Sequence, residues 1–153
     1  MVTHDAEEGA MGLVLNRPTK QTVDDLLMEP EFGPLGQVPV FWGGPVSTDR
    51  MTFAAFRWKQ QSQSVECRIN IELDEAKELA LEGEGVVRAF VGYAGWSRSQ
   101  LEGELDQKAW VVQKADREVL DPEECKQMWQ TIMKNYGPWF RLLAQAPDDP
   151  SQN

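Results

Sequence analysis

Few side chains in this sequence have the type and spacing for chemistry. His4 is the only histidine and stands at the start of the chain, far in sequence from either cysteine, Cys67 or Cys125. A Ser-His-Asp triad or a Cys-His pair needs an imidazole held by a rigid scaffold, and His4 is poorly placed for that. No His or Cys cluster has zinc-ligand spacing. Gly92-Tyr93-Ala94-Gly95-Trp96 is not a nucleophile elbow, because Ala94 and Trp96 stand where the serine and second glycine would be. It is not a phosphate loop either, since no Gly-Lys-Ser/Thr follows. No catalytic constellation, metal site or cofactor is expected.

Two readings compete for Trp96-Ser97-Arg98-Ser99-Gln100-Leu101. The structural one makes Ser97 an N-cap and Gln100 its capping-box partner, with Trp96 and Leu101 as the hydrophobic staple. Losing such a cap costs about 1 kcal/mol. The functional one notes that a strand ending at Gly95 and feeding a helix aims N–H groups at solvent, where a small anion binds. Arg98, and Arg17 in the turn Asn16-Arg17-Pro18, would add charge. Glu102, Glu104 and Asp106 read as a solvated helical face, with Glu104 and Lys108 spaced as a surface ion pair. Tyr93, Trp96 and Trp110 are aromatic types that anchor protein interfaces when exposed.

These residues must be positioned by a mixed set of elements. Met11 to Leu15 is an apolar run ended by Asn16-Arg17-Pro18 and reads as a strand. Thr22 precedes a short helix with Asp24 and Asp25 in its first turn and Leu26, Leu27 and Met28 after them. Val38 to Trp42 is a strand closed by Gly43-Gly44-Pro45. Met51 to Trp58 and Val65 to Glu72 form a hairpin. In the second of these, Val65, Cys67, Ile69 and Ile71 alternate with polar residues, so one face is buried. A helix begins near Asp74 and stops at Gly83. Val86 to Tyr93 is a strand, a helix starts at Ser97, and Ala109 to Gln113 is a late strand. Asp121-Pro122-Glu123-Glu124 opens a last helix running to about Tyr136, where Gly137-Pro138 stops it. The fold class is α+β with a mainly antiparallel sheet. Residues 1–144 make one domain, and residues 145–153 a disordered tail.

The composition sets bounds on the partners. The 153 residues carry 15 Lys and Arg against 25 Asp and Glu, a formal charge of −10. A field of that sign disfavours direct nucleic-acid binding, which neutralises phosphates with basic side chains. No apolar run approaches the roughly 20 residues of a membrane-spanning helix, and the N-terminus lacks a signal-peptide layout. A cytoplasmic protein with free, apolar-packed thiols is expected.

Four stretches taken together have a counterpart in a known family. They are Glu8-Gly9-Ala10-Met11-Gly12-Leu13-Val14-Leu15-Asn16-Arg17-Pro18, Gly43-Gly44-Pro45-Val46, Gly92-Tyr93-Ala94-Gly95-Trp96, and Gln100-Leu101-Glu102-Gly103-Glu104-Leu105 with Trp110 beyond. In this order and approximate spacing the chain resembles the bacterial YqgE/AlgH family from about Val2 to Tyr136. The resemblance implies an α+β fold around a curved, barrel-like sheet and no established enzyme activity. Some members are described as regulators of exopolysaccharide production. Family members usually carry a leader strand before the stretch matching Val2-Thr3-His4. A genuine loss of that strand would open a sheet edge and favour self-association.

Three functions follow as expectations. The first is a noncatalytic regulatory or adaptor domain for a protein partner. The second is a binder of a small anionic ligand at the Gly92–Gln100 junction, with Arg17 or Arg98. The third is a DNA-linked transcriptional regulator. The residues expected to serve the first two are Asn16, Arg17, Tyr93, Gly95, Trp96, Arg98, Gln100 and Glu104.

Overall fold

The computed structural model describes residues 2–5, 9–27, 30–83, 85–121 and 127–144. Its centre is β7 (Val86–Trp96), a run of β-branched and aromatic residues suited to a buried strand. β5 (Val46–Lys59) pairs antiparallel along one side of β7, and β6 (Ser64–Ile71) pairs antiparallel with β5. On the other side of β7 two different strands share the edge. β4 (Pro39–Trp42) runs parallel to it through Val40↔Ala89, Phe41↔Phe90 and Trp42↔Val91. Farther along, β2 (Gly9–Gly12) takes over antiparallel, with Gly12↔Ala94, Met11↔Gly95 and Ala10↔Trp96. β3 (Pro18–Thr22) flanks β4, and β1 (Val2–Asp5) flanks β2. The seven-stranded sheet is mostly antiparallel. It stays open: β1, β3 and β6 each have one strand neighbour among the described residues. The expected barrel-like sheet therefore does not close.

Alternation along the central strands divides the interior in two. Val40, Phe53, Val87 and Ala89 point to one face, under α2 (Leu73–Glu82) and the 3-10 segment Pro30–Leu35. Phe41, Ala54, Phe56 and Phe90 point to the other, with Leu13, Leu15 and Val119. The β6 alternation is as expected: Ile71 is buried, Val65, Cys67 and Ile69 are half-buried, and Glu66, Arg68 and Asn70 are exposed.

At the point where β4 leaves β7 and β2 arrives, main chain packs on main chain. Gly43 N donates to Val91 O at 2.9 Å, and Val14 N donates to Gly43 O at 2.9 Å. Gly92 adopts φ +70, and a Cβ on Gly43, Gly44 or Gly92 would overlap backbone atoms of the facing strand. Two of the sequence motifs, Gly43-Gly44-Pro45 and Gly92-Tyr93-Ala94-Gly95, are thus the two halves of one backbone crossing.

Several elements depart from the sequence reading. Leu13 to Leu15 leave the strand, although Leu13 and Leu15 are buried. β3 was not anticipated, because Pro18-Thr19-Lys20-Gln21-Thr22 has no apolar alternation. It is held instead by pairing with β4 and by Thr19 Oγ1 donating to Val40 O at 2.8 Å. β5 begins at Val46, before the expected Met51, with a register shift between the two. Thr22 does open a helix, α1 (Val23–Leu26), and the Asp25 carboxylate accepts from the Thr22 N–H at 2.8 Å and its hydroxyl at 3.0 Å. Those two bonds hold Asp25 below its ordinary carboxyl pKa. Met28 lies outside the described residues.

Residues 109–116 form no strand; they follow α3 (Gln100–Asp106) without regular structure. Of the last predicted helix, Pro122 to Glu124 and Cys125 lie outside the described residues. Its remainder is α4 (Met128–Asn135). That helix ends where expected, with Tyr136 at its C-cap, and Gly137 separates it from a further helix, α5 (Pro138–Leu143), in which Pro138 occupies the first turn, a position its ring suits. The tail at 145–153 also lies outside the described residues.

Cys67 packs on the Phe41–Phe56–Phe90 side of the sheet, and burial pushes its thiol up to about 11. The thiol is the unreactive form. Alkylation of the folded protein by iodoacetamide at pH 8, followed by peptide mass mapping, should leave Cys67 largely unmodified, whereas unfolding in guanidinium should expose it. Rapid labelling of Cys67 in the native state would contradict this packing.

Candidate functional site

β7 ends at Trp96, and the chain turns over Ser97–Ser99 into α3, which faces β2 across the end of the sheet. The turn is not the expected Ser97 cap. Ser99, at φ +62, occupies the N-cap position and the helix starts at Gln100. Gln100 folds back: its Oε1 accepts from the Ser97 N–H at 3.1 Å and the Ser97 hydroxyl at 3.2 Å. Gln100 N donates to Ser97 O at 3.0 Å. The N–H groups of Ser97 and Gln100 are thus both engaged within the turn.

Glu104, expected on a solvated face, is the hub of the site. Its Oε2 accepts from Trp96 Nε1 at 3.0 Å and from Trp110 Nε1 at 2.6 Å, while its Oε1 accepts from Gln100 Nε2 at 2.9 Å. The two indoles meet edge to face with centroids 5.8 Å apart, a favourable aromatic geometry. Glu104 is thereby drawn to the indoles rather than to Lys108. Lys108 itself takes φ +57 and turns the chain so that Trp110 comes back over α3. The Trp110, Gln100 and Trp96 hydrogen bonds, in that order, hold the Glu104 carboxyl below its ordinary value of 4.5.

A depressed folded pKa means that this contribution to stability is present above the ordinary glutamate range. It is lost as pH falls through the lower, folded value. Below pH 4.5 the indole N–H resonances of Trp96 and Trp110 should titrate together in 15N spectra of the native chain. Glu104→Gln, which lacks a carboxylate for the indole donors, should abolish that titration and shift both resonances at neutral pH. Indole resonances indifferent to pH and to the substitution would rule out the clamp.

The sequence-predicted residues fall into two groups. Trp96, Gln100 and Glu104 come together in this cluster, and Tyr93 and Gly95 lead into it along β7. Tyr93 is half-buried against the Phe41–Phe90 core. Arg98 is exposed in the turn. Asn16 and Arg17 belong elsewhere: Arg17 O accepts from Trp42 N at 2.9 Å, so that turn closes the end of β4.

Sequence reasoning passed over Arg88. It is fully buried on β7, with its guanidinium carbon 5.0 Å from the Phe41 ring centroid and 5.4 Å from that of Phe56. Its Nη2 donates to Val119 O at 2.7 Å. Stacking on aromatic faces is a guanidinium property that lysine does not share. Arg88 so ties the 3-10 segment Arg117–Leu120 to the sheet. The available signal was a single arginine inside the apolar run Val86-Val87-Arg88-Ala89-Phe90-Val91.

Comparison with known proteins places this geometry. A family model described as AlgH-like matches residues 1–141. The UPF0301 protein of Streptomyces coelicolor is 32% identical, with 100% of this chain and 83% of that protein covered. A Bordetella avium UPF0301 protein is 36% identical over 84% of this chain and 70% of its own length. The solution structure of the AlgH protein from Pseudomonas aeruginosa superposes with a TM-score of 0.56 at 28% identity, covering 97% of this chain and 84% of that one. A Corynebacterium diphtheriae crystal structure, at 18% identity and a TM-score of 0.62, shares the fold over 95% of this chain and 81% of that one. Sequence and architecture thus agree over nearly the whole length, and the chain belongs to the AlgH-like, UPF0301 family.

Proposed function

We propose that the chain is a noncatalytic, cytoplasmic regulatory or adaptor domain that binds a protein partner through the ridge formed by Trp96, Trp110, Val111 and Val112. The observation that carries this reading is the exposure of apolar side chains held in fixed places. Trp110 is 49% exposed although its indole N–H is clamped, and Val111 and Val112 beyond it are 44% and 75% exposed. A rigid, partly exposed tryptophan is among the residue types that most often anchor an interface hot spot, and the exposed valines beside it extend the apolar surface. Because its rotamer is already fixed, little conformational entropy remains to be lost on binding. Glu104 supports a structural rather than catalytic role, since both its oxygens accept hydrogen bonds that keep it ionised.

The test is a capture experiment with immobilised chain under matched conditions. Wild type should retain a discrete partner, and Trp110→Ala and Val112→Glu should each reduce its recovery at least tenfold, the loss expected for a hot spot of about 1.4 kcal/mol or more. Equal recovery by both variants would overturn the reading.

A second reading, a binder of a small anionic ligand, finds support at a different place from the one the sequence suggested. A shallow surface cavity of about 470 Å³ at the β5–β6 turn is lined by Arg57, Trp58, Lys59, Gln60, Gln61 and Ser62. Lys59 Nζ there pairs with Glu66 at 2.9 Å, and Lys114 Nζ adds a further cation beside it by donating to Ser62 O at 3.2 Å. A thermal-shift screen against nucleotides and dicarboxylates supports this reading if a hit is abolished by Lys59→Ala. A flat screen removes it.

A further inference from the structure

Charge is unevenly distributed over this acidic chain. Residues 127–144 contain no carboxylate and two cations, Lys134 and Arg141. Arg141 Nε donates to Lys134 O at 3.0 Å, which fixes the guanidinium over the end of α4. Neither cation makes an ion pair among the described residues. The same helical hairpin leaves Trp129, Trp139 and Leu142 at 42%, 67% and 64% exposed. Trp139 and Leu142 are spaced three apart and share one face of α5.

α2 shows the complementary pattern. Asp74 is paired with Lys77 at 3.1 Å, and Glu75 with Arg68. Glu78 and Glu82 are exposed and without a cation among the described residues, at an i, i+4 spacing where like charges repel. Between them Leu81 is 75% exposed. The helix packs on one face of the sheet through Ala76, Leu73 and Leu79, whereas Met128 at the start of α4 packs on the opposite face.

We propose that the chain self-associates head to tail, the α4–α5 face of one copy seating on α2 of the next. Lys134 and Arg141 would meet Glu78 and Glu82 around a contact between Trp139, Leu142 and Leu81. Opposite charges around an apolar centre steer and register such a contact. Because the two patches differ and lie on different sides of the molecule, the association is heterologous and can continue from copy to copy. The contact uses neither indole of the Trp96–Trp110 pair, so its test stands apart from that of the partner reading.

The experiment is sedimentation velocity of the full chain from about 10 to 500 µM, the range in which transient complexes populate, at low salt and again in high salt. The expected result is a sedimentation coefficient that rises with concentration at low salt and falls back in high salt. The charge reversals Lys134→Glu with Arg141→Glu, and Glu78→Lys with Glu82→Lys, alter exposed side chains and should each give a single-chain species. Mixing the two variants should restore association, because each then presents charge complementary to the other. A wild-type chain that stays single throughout would overturn the proposal. So would association indifferent to both reversals, or a mixture that remains dissociated. Vesicles containing phosphatidylserine serve as the alternative probe: binding to them by a wild-type chain that does not self-associate assigns the basic face to a membrane and overturns it equally.

Discussion

Gly92→Ala should lower the unfolding free energy by about 4 kcal/mol. Two effects add at this position. The residue sits at φ +70, where an alanine loses roughly 1–2 kcal/mol. The new methyl would also point into Gly44 O, with Val46 O at 3.0 Å beside it, so strands must separate, and overpacking of this kind costs about 1–3 kcal/mol. Neither obstacle is the movable end of a side chain. Against the roughly 5–15 kcal/mol that keeps a domain folded, the loss is a large share. Chemical denaturation should show the midpoint falling with little change in slope. A variant within about 1 kcal/mol of wild type, an ordinary surface effect, would mean that the backbone crossing is not as close as described.

Arg88→Ala should cost about 3 kcal/mol or more. The substitution empties a space between the Phe41 and Phe56 rings, removes both cation–π contacts and strands Val119 O without its donor. Large-to-small changes in a core cost about 2–5 kcal/mol, and a lost bond to a charged group adds to that. For a chain of this size the melting temperature should fall by roughly 10 °C. Arg88→Lys should recover only part of the loss, because an ammonium lacks the planar stacking face. Hydrogen exchange supplies a second readout: amides of Arg117–Leu120 should exchange faster in the alanine variant, as the segment Arg88 holds is released. Unchanged exchange there would show that Val119 is fixed by packing alone.

The fold was legible wherever pattern and burial coincide. β6 follows from its alternation, α2 ends at Gly83 as its sequence implies, and β5–β6 form the expected hairpin. The family resemblance rested on glycine motifs, and the structure supplies their physical cause in the crossing of Gly43-Gly44 over Gly92-Tyr93. β3 was illegible because pairing and a Thr19 side-chain bond hold a polar segment that no periodicity marks. Residues 109–113 read as a strand because Trp110, Val111 and Val112 have strand propensity, yet the Glu104–Trp110 bond turns the chain away from the sheet. A local side-chain bond of that kind overrides propensity.

The candidate site was legible in its membership and not in its roles. Ser97 and Gln100, with Trp96 and Leu101, are spaced as a capping box and staple, which suggested a cap, and Glu104 read as part of a solvated face. The actual joint task of Trp96, Gln100 and Glu104 is to hold two indoles through one carboxylate. Arg17 carried no signal that would separate it from the cluster, because its neighbour Trp42 arrives from a strand distant in sequence. Arg88 was hidden by the usual rule that arginines are exposed.

The most direct test of the partner-binding account is site-specific photo-crosslinking in the source cells. A benzophenone amino acid would be placed at Val112, at the end of the tryptophan ridge, and for comparison at Asp49, an exposed residue of β5. Irradiation should yield one discrete protein adduct from position 112, weakened by Trp110→Ala, and none from position 49. No adduct from position 112, or the same adducts from both positions, would contradict a docking surface built on Trp96 and Trp110.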